Sequence, residues 1–119
     1  MKREHFVKIV EEELDSIPRE FRSRIRNVAV LVEDTPPNQP SPPQPGQQKH
    51  LLLGLFHGVP TTKKSTFNLP TGPDYVVLYQ KNIEAVCSSE AEVRHQIRQT
   101  LIHELGHYFG MTEEQLKDV

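Results

Sequence analysis

The sequence lacks the features of several large protein classes. Tryptophan is absent from its 119 residues, and cysteine occurs once, at Cys87, so no internal disulfide can form. No apolar run approaches the roughly 20 residues that a membrane-spanning helix needs. Acidic residues interrupt the N-terminal segment 1–15, where a signal peptide requires an unbroken apolar region. We therefore expect a cytoplasmic protein that does not associate with membranes.

The charge of the chain is nearly balanced. Lys plus Arg is 14 and Asp plus Glu is 16, which gives a formal net charge of -2. This balance provides no general attraction to nucleic acid or to an anionic membrane. Basic residues are dense only between Arg19 and Arg26, which we interpret as a solvated approach to a strand, with a nucleic-acid patch as the alternative. We expect no nucleic-acid partner.

The length predicts a single domain. A chain of 119 residues is near the commonest domain size, and residues 1–119 should share one small core. A proline-rich loop at residues 36–46 lies within this domain, because neither flanking part could form a core alone. The loop offers a P-x-x-P pattern from Pro37 to Pro40 to an SH3-like partner, although such matches are common in proline-rich linkers.

Two amphipathic helices are expected near the ends of the chain. The first covers Glu4–Leu14, where apolar residues recur with the helical period, and it ends near Pro18. The second begins at Glu90, because a capping box precedes it, and it ends at Gly110. The capping residues are Ser89 and Glu92, the predicted buried ridge is Val93, Ile97, Leu101 and Leu105, and the predicted polar face is Gln96, Thr100, His103 and His107.

Three strands are expected between these helices. The apolar, β-branched run Ile25–Val32 predicts a strand buried on both faces and therefore central in the sheet. His50–His57 predicts a second strand, in which Gly54 indicates a bulge or a close backbone approach. Asp74–Gln80 predicts a third, which continues through Lys81–Val86 as a turn or short edge segment.

The second helix carries the pattern H-E-x-x-H at His103, Glu104 and His107. Residues four apart lie on the same face of a helix, so both imidazoles can bind one cation. Glu104 points about a quarter turn away, where it can take a proton from zinc-bound water without being a ligand. The spacing therefore favours a hydrolytic zinc site over a helix with two surface histidines and a surface glutamate.

A catalytic zinc ion generally needs a third protein ligand. Counted from His103, the sequence reads H-E-x-x-H-x-x-G-x-x-E, with Gly110 as a turn and Glu113 in the place of the last histidine of the metzincin pattern. A T-x-x-Q capping box beside Glu113 offers a rival explanation, since a carboxylate suits the first turn of a helix without any metal. Glu114 and His57 are the other candidates for the third ligand.

Together these features resemble the bacterial zincin-like metallopeptidase family, small proteins described as minimal zincins. The resemblance is carried by LGLFHGVP, by YVVLYQKNIEAVC and above all by HELGHYFG followed by acidic residues. It implies an α+β zincin-like fold, in which a small mixed β-sheet packs on an N-terminal helix and a long C-terminal active-site helix. It also implies His103 and His107 as zinc ligands, Glu104 as general base and an acidic residue after Gly110, here Glu113, as the third ligand.

The function expected is peptide-bond hydrolysis with Zn²⁺ as cofactor and a peptide or unfolded protein as substrate. The peptide would add as an extended strand near Asp74–Ile83. His57, Tyr79 and Tyr108 are further candidates for oxyanion donors, although the tyrosines also suit the core. Cys87, just ahead of a helix N-terminus, is either an activated thiol or a buried structural one. A non-catalytic zinc-binding or interaction domain is the alternative function, and an SH3-ligand adaptor is a third.

Overall fold

The computed structural model describes residues 1–22, 28–39, 43, 51–58, 74–108 and 110. None of the helices in these ranges is both long and apolar enough to cross a membrane. The elements in chain order are α1 (Arg3–Ser16), α2 (Arg19–Arg22), β1 (Val28–Glu33), β2 (Gly54–His57), β3 (Asp74–Tyr79), α3 (Gln80–Ala85) and α4 (Glu90–Tyr108).

The three strands form one mixed sheet in the order β1-β3-β2. β1 runs parallel to β3, with Val28 opposite Asp74, and β2 runs antiparallel to β3, with Gly54 opposite Leu78. β3 is therefore hydrogen-bonded on both sides. The expected class, a small α+β fold with a mixed sheet, is confirmed.

The core lies between the sheet and the helices α1 and α4, which also pack against each other. β1 contributes one side only, since its residues alternate between half-buried and exposed along the strand. The ridge predicted for the second helix is confirmed, and the stripe of the first helix belongs to the core. The buried core residues are Phe6, Ile9, Val10, Ile17, Val76, Leu78, Ile83, Val93, Ile97, Leu101 and Leu105.

A network of hydrogen bonds joins the N-terminal end of the chain and α1 to β1 and α3. Arg3 Nε donates to Gln80 Oε1 at 2.7 Å and Arg3 Nη1 donates to Val32 O at 2.7 Å. Gln80 Nε2 donates to Met1 O at 2.9 Å and to Glu84 Oε1 at 3.0 Å. Because Gln80 is 2% exposed, these bonds satisfy an amide that would otherwise be buried at a cost.

The central position predicted for the first strand is wrong. β1 was expected at the centre of the sheet, but among the described residues it pairs with β3 alone. The apolar run of β1 predicted burial on both faces, but Ala29 and Leu31 are exposed. Residue type alone does not distinguish an apolar edge strand from a buried central one. β3, which had been expected to offer an edge, occupies the centre.

Two element boundaries also differ from expectation. Lys81–Val86 was predicted to be a turn or edge segment, but Gln80–Ala85 is the helix α3, which at 6 residues is too short to show a helical period in the sequence. In the second predicted strand, only Gly54–His57 has strand geometry, and His50 lies outside the described residues.

Both predicted ends of α4 are confirmed. Glu92 N donates to Ser89 Oγ at 3.2 Å, as a capping box requires, while Glu92 Oε2 accepts from Ser88 N at 2.7 Å. At the other end, Gly110 has a φ of 71° and donates its N–H to His107 O at 3.0 Å. A positive φ at this position is the usual way for a helix to end at glycine.

Gly54 lies at a close contact between β2 and α4. A Cβ atom at this position would lie 2.7 Å from Thr100 Cγ2 and 3.1 Å from Val77 O. Real Cβ atoms essentially never lie 2.7 Å from another heavy atom, so any residue other than glycine would require Thr100 to move. Of the two alternatives predicted for Gly54, a bulge or a close backbone approach, the structure supports the close approach.

We predict that Gly54→Ala destabilises the fold by about 1–3 kcal/mol, because the added methyl overpacks the contact between β2 and α4. Urea unfolding followed by circular dichroism measures this loss. In a Thr100→Ser background the colliding methyl is gone, so the same substitution should cost clearly less. An equal loss in both backgrounds would show that the contact with the Thr100 methyl is not its cause.

Candidate metal centre and cleft

His103 and His107 stand together on one face of α4. Their ring centroids are 4.5 Å apart with the ring planes inclined at 45°, and both side chains are exposed. With Zn–N distances of about 2.0–2.1 Å, two rings that share an ion have centroids at most roughly 6.5 Å apart. The spacing and the nitrogen donors of the two imidazoles therefore fit a zinc ion.

The neighbouring residues of α4 hold this face in place. Leu101 and Leu105 are fully buried on the opposite side of the helix, which fixes its rotation relative to the sheet. Gln96 Nε2 donates to Thr100 Oγ1 at 3.2 Å, one turn before the histidines. Gln96 and Thr100, two residues of the predicted polar face, are thus hydrogen-bonded to each other, although Thr100 is buried.

A cleft of about 390 Å³ lies beside α4 and includes part of the predicted site. Glu104, which is half-buried, and His103 line the cleft, whereas His107 is not among its lining residues. The other residues of the lining are Leu51, Leu52, Leu53 and Gly54 ahead of and within β2, and Gln96, Gln99, Thr100 and Ile102 on α4. The carboxylate predicted to act as general base and several apolar side chains thus line the same cleft.

The third ligand is not found within the described ranges. No group of three His, Cys, Asp or Glu side chains in them is arranged to hold a metal ion. Glu113 and Glu114 both fall outside the described residues. His57, the remaining alternative, is described but is not brought together with the two histidines, and its ring stacks on Tyr75 with the centroids 4.8 Å apart.

Tyr108 fastens the C-terminal end of α4 to the sheet. Its hydroxyl donates to Asp74 Oδ2 at 3.0 Å in a buried position, and its ring lies 4.6 Å from the ring of Phe56. This placement agrees with a packing role for Tyr108 in the core and not with a role as oxyanion donor in the cleft. No local pattern indicates Asp74 as the partner, because the two residues are 34 positions apart in the sequence.

Tyr79 is also part of the packing. Its side chain is 3% exposed and lies outside the cleft lining. Burial raises the pKa of the Tyr79 phenol, and the charges of Glu33 and Tyr75 add to the increase. The phenol therefore keeps its proton at neutral pH, but it does not face the predicted site.

The sequence matches the model of a family described as zincin-like metallopeptidase over residues 25–119. The chain belongs to the zincin-like metallopeptidase family. A solved structure of a conserved hypothetical protein from Thermus thermophilus is similar, with a TM-score of 0.60 and 24% sequence identity over 92% of this chain and 94% of that chain. At this identity the likeness shows the fold alone. A comparison with curated proteins gave no match.

Membership of the zincin-like metallopeptidase family supports zinc binding and peptidase activity in general terms. The structure corrects where a peptide could add to the sheet. Asp74–Ile83 cannot be the docking edge, because β3 is paired on both sides and residues from Gln80 onward are helical. In this zincin-like protein the strand beside the cleft is β2, which pairs with β3 alone among the described residues.

Cys87 has the character of a structural thiol. It is half-buried and packs against the core, and it lies at a second cleft with Glu92 and His95. Burial raises the pKa of the Cys87 thiol, and the charge of Glu92 raises it further. A raised pKa leaves less thiolate at neutral pH, so the structure does not favour an activated nucleophile.

We predict that iodoacetamide alkylates Cys87 more slowly in the folded protein than in urea, with the midpoint of the pH–rate profile at higher pH. The folded state holds the thiol proton more tightly, so the associated stability is present below the unfolded pKa and is lost as the pH rises through the folded pKa. Mass spectrometry of the labelled protein gives the rates, with Cys87→Ser as the blank. A midpoint below that of the unfolded chain would contradict this interpretation.

Proposed function

We propose that this protein is a zinc-dependent peptidase in which His103 and His107 hold the metal, Glu113 completes the ligand set and Glu104 is the general base. The observation that carries the proposal is the pair of imidazoles with centroids 4.5 Å apart, of which His103 lines the same cleft as Glu104. Family membership supports the reaction class.

The described residues suggest which group would perform each step of peptide hydrolysis. A zinc ion held there would supply Lewis acidity, which polarises a peptide carbonyl and brings the pKa of water to about 7. Glu104 would take the proton of the attacking water on its carboxylate and pass it to the nitrogen of the leaving amine. Glu104 and the two histidines are on the same helix, so helical geometry sets the relative positions of their backbones.

We further propose that the substrate is a peptide or an unfolded protein segment that adds along β2. Within the described part of the sheet β2 pairs with β3 alone, and its first residue, Gly54, lines the cleft, so main-chain hydrogen bonds to β2 would align the peptide there. The charge balance of the chain favours neither nucleic acid nor membranes as partners. The cleft is open at the surface, which favours extended segments over folded proteins.

We also propose that residues 1–119 act as one domain. The family match begins at residue 25, so α1 lies outside it. Phe6 and Ile9 of α1 are nevertheless fully buried in the same core as the ridge of α4. Removal of this helix would expose the back of the helix that carries the site.

We predict that Glu104→Gln leaves the zinc content unchanged and lowers peptide hydrolysis by about 10²–10⁴-fold, because an amide cannot accept the proton. A fluorogenic peptide library measures hydrolysis, and elemental analysis measures zinc. The control is Glu11→Gln, an exposed residue of α1. A wild type that holds zinc but cleaves nothing would favour the non-catalytic binding domain.

We predict that His107→Ala weakens zinc binding by more than about a hundredfold, since even the loss of a group that only supports a ligand costs 10–100-fold. Glu113→Ala should also weaken binding, whereas His57→Ala should not. Competition with a fluorescent chelator measures the affinities. His95→Ala is the control, because it removes an exposed histidine from the same helix. Normal zinc affinity in Glu113→Ala would exclude Glu113 as a ligand.

A further inference from the structure

Asn82 is a fully buried amide on α3 whose hydrogen-bonding groups are all occupied. Its exposed fraction is 0%. Nδ2 donates to Leu52 O at 2.8 Å and to Gln39 Oε1 at 3.0 Å, and Oδ1 accepts from Gln39 Nε2 at 2.9 Å. The two amides thus pair with each other, and the remaining N–H of Asn82 binds the backbone of the segment that precedes β2.

The bond to Leu52 lies just beyond the end of the β-ladder. Tyr79 N donates to Leu53 O at 2.9 Å, which continues the register of β2 against β3 by one residue. The next residue in this register would be Gln80, but the chain has become the helix α3 there. The side chain of Asn82 therefore attaches Leu52 to the fold where strand pairing no longer can.

Leu52 is also a wall of the cleft. Its side chain lines the same cavity as Glu104 and His103 and is 41% exposed. Leu51 and Leu53 extend this apolar wall on either side. An exposed leucine in a cleft can gain contacts with an apolar group of a ligand, but only if its backbone is held in one position.

We propose that Asn82 is a positioning residue that fixes the Leu52 wall, so that the site selects substrates with an aliphatic side chain next to the scissile bond. This inference rests on the proposed peptidase function. Asn82 acts through Leu52 and does not touch the substrate. Through Gln39, the same amide pair ties the wall to the start of the proline-rich segment.

The test compares Asn82→Leu with Gln80→Met. Both variants remove a buried amide from α3, but the bonds of Gln80 go to Met1, Arg3 and Glu84 and not to the cleft wall. The probes are leucyl hydroxamate and glycyl hydroxamate, which chelate zinc and differ in the side chain. Calorimetry with the zinc-loaded full chain gives their affinities without requiring hydrolysis.

We expect the wild type to bind leucyl hydroxamate at least about tenfold more tightly than glycyl hydroxamate. Asn82→Leu should reduce this preference to less than about threefold, with glycyl hydroxamate affinity and zinc content unchanged. Gln80→Met should keep the preference. With peptides, Asn82→Leu should raise KM for a leucine substrate and leave kcat nearly constant.

Two results would overturn the inference: no preference in the wild type, or a preference that survives in Asn82→Leu. In a Leu52→Ala background, Asn82→Leu should have no further effect, and an additive effect would mean that Asn82 does not act through Leu52. If Asn82→Leu does not fold, Gln39→Leu is the second variant, because it removes the partner of the Asn82 amide and leaves Asn82 in place. It should lower the preference for leucyl hydroxamate in part. An unchanged preference in Gln39→Leu would count against the proposal.

The experiment also separates this inference from the proposed function. A wild type that cleaves no peptide but shows a preference dependent on Asn82 would refute the peptidase and keep the positioning role. A wild type that cleaves peptides equally well with and without an aliphatic side chain would support the peptidase and refute the positioning role of Asn82.

Discussion

The burial of one ridge of α4 against the sheet is the constraint on which the site depends. Ile97, Leu101 and Leu105 are completely buried, and each such side chain contributes roughly 1.5–3 kcal/mol by leaving water. A rotation of the helix would expose all of them at once. The face that carries His103 and His107 is therefore turned outward by packing on the other side, before any metal binds.

The parts of the structure that sequence could predict are those decided within a few residues. The H-E-x-x-H spacing, the capping box at Ser89 and the turn at Gly110 are local patterns, and the helix that they define is present. The order of the strands is not local. β3 is central because β1 and β2 both pair with it. Residues 28–32 and 75–79 are both continuous apolar runs, so residue type alone does not indicate which of the two strands is central.

The candidate site also has parts that the sequence predicts and parts that it does not. The two histidines and Glu104 follow from helical geometry, whereas Glu113 rests on an analogy between motifs and stays a prediction. The wall of the cleft could not be anticipated, because the bond between Asn82 and Leu52 joins residues 30 positions apart and the pair with Gln39 spans 43 positions. Polar contacts of this kind depend on the completed fold, as does the bond between Tyr108 and Asp74.

Gly54 has a consequence beyond its effect on packing. The space in which its side chain would stand is occupied by a methyl group of Thr100, with Val77 O and a methyl group of Leu78 beside it. Gly54 and Thr100 also both line the cleft. A larger residue at position 54 would therefore require a smaller one at position 100, so we expect the two positions to vary together among related proteins.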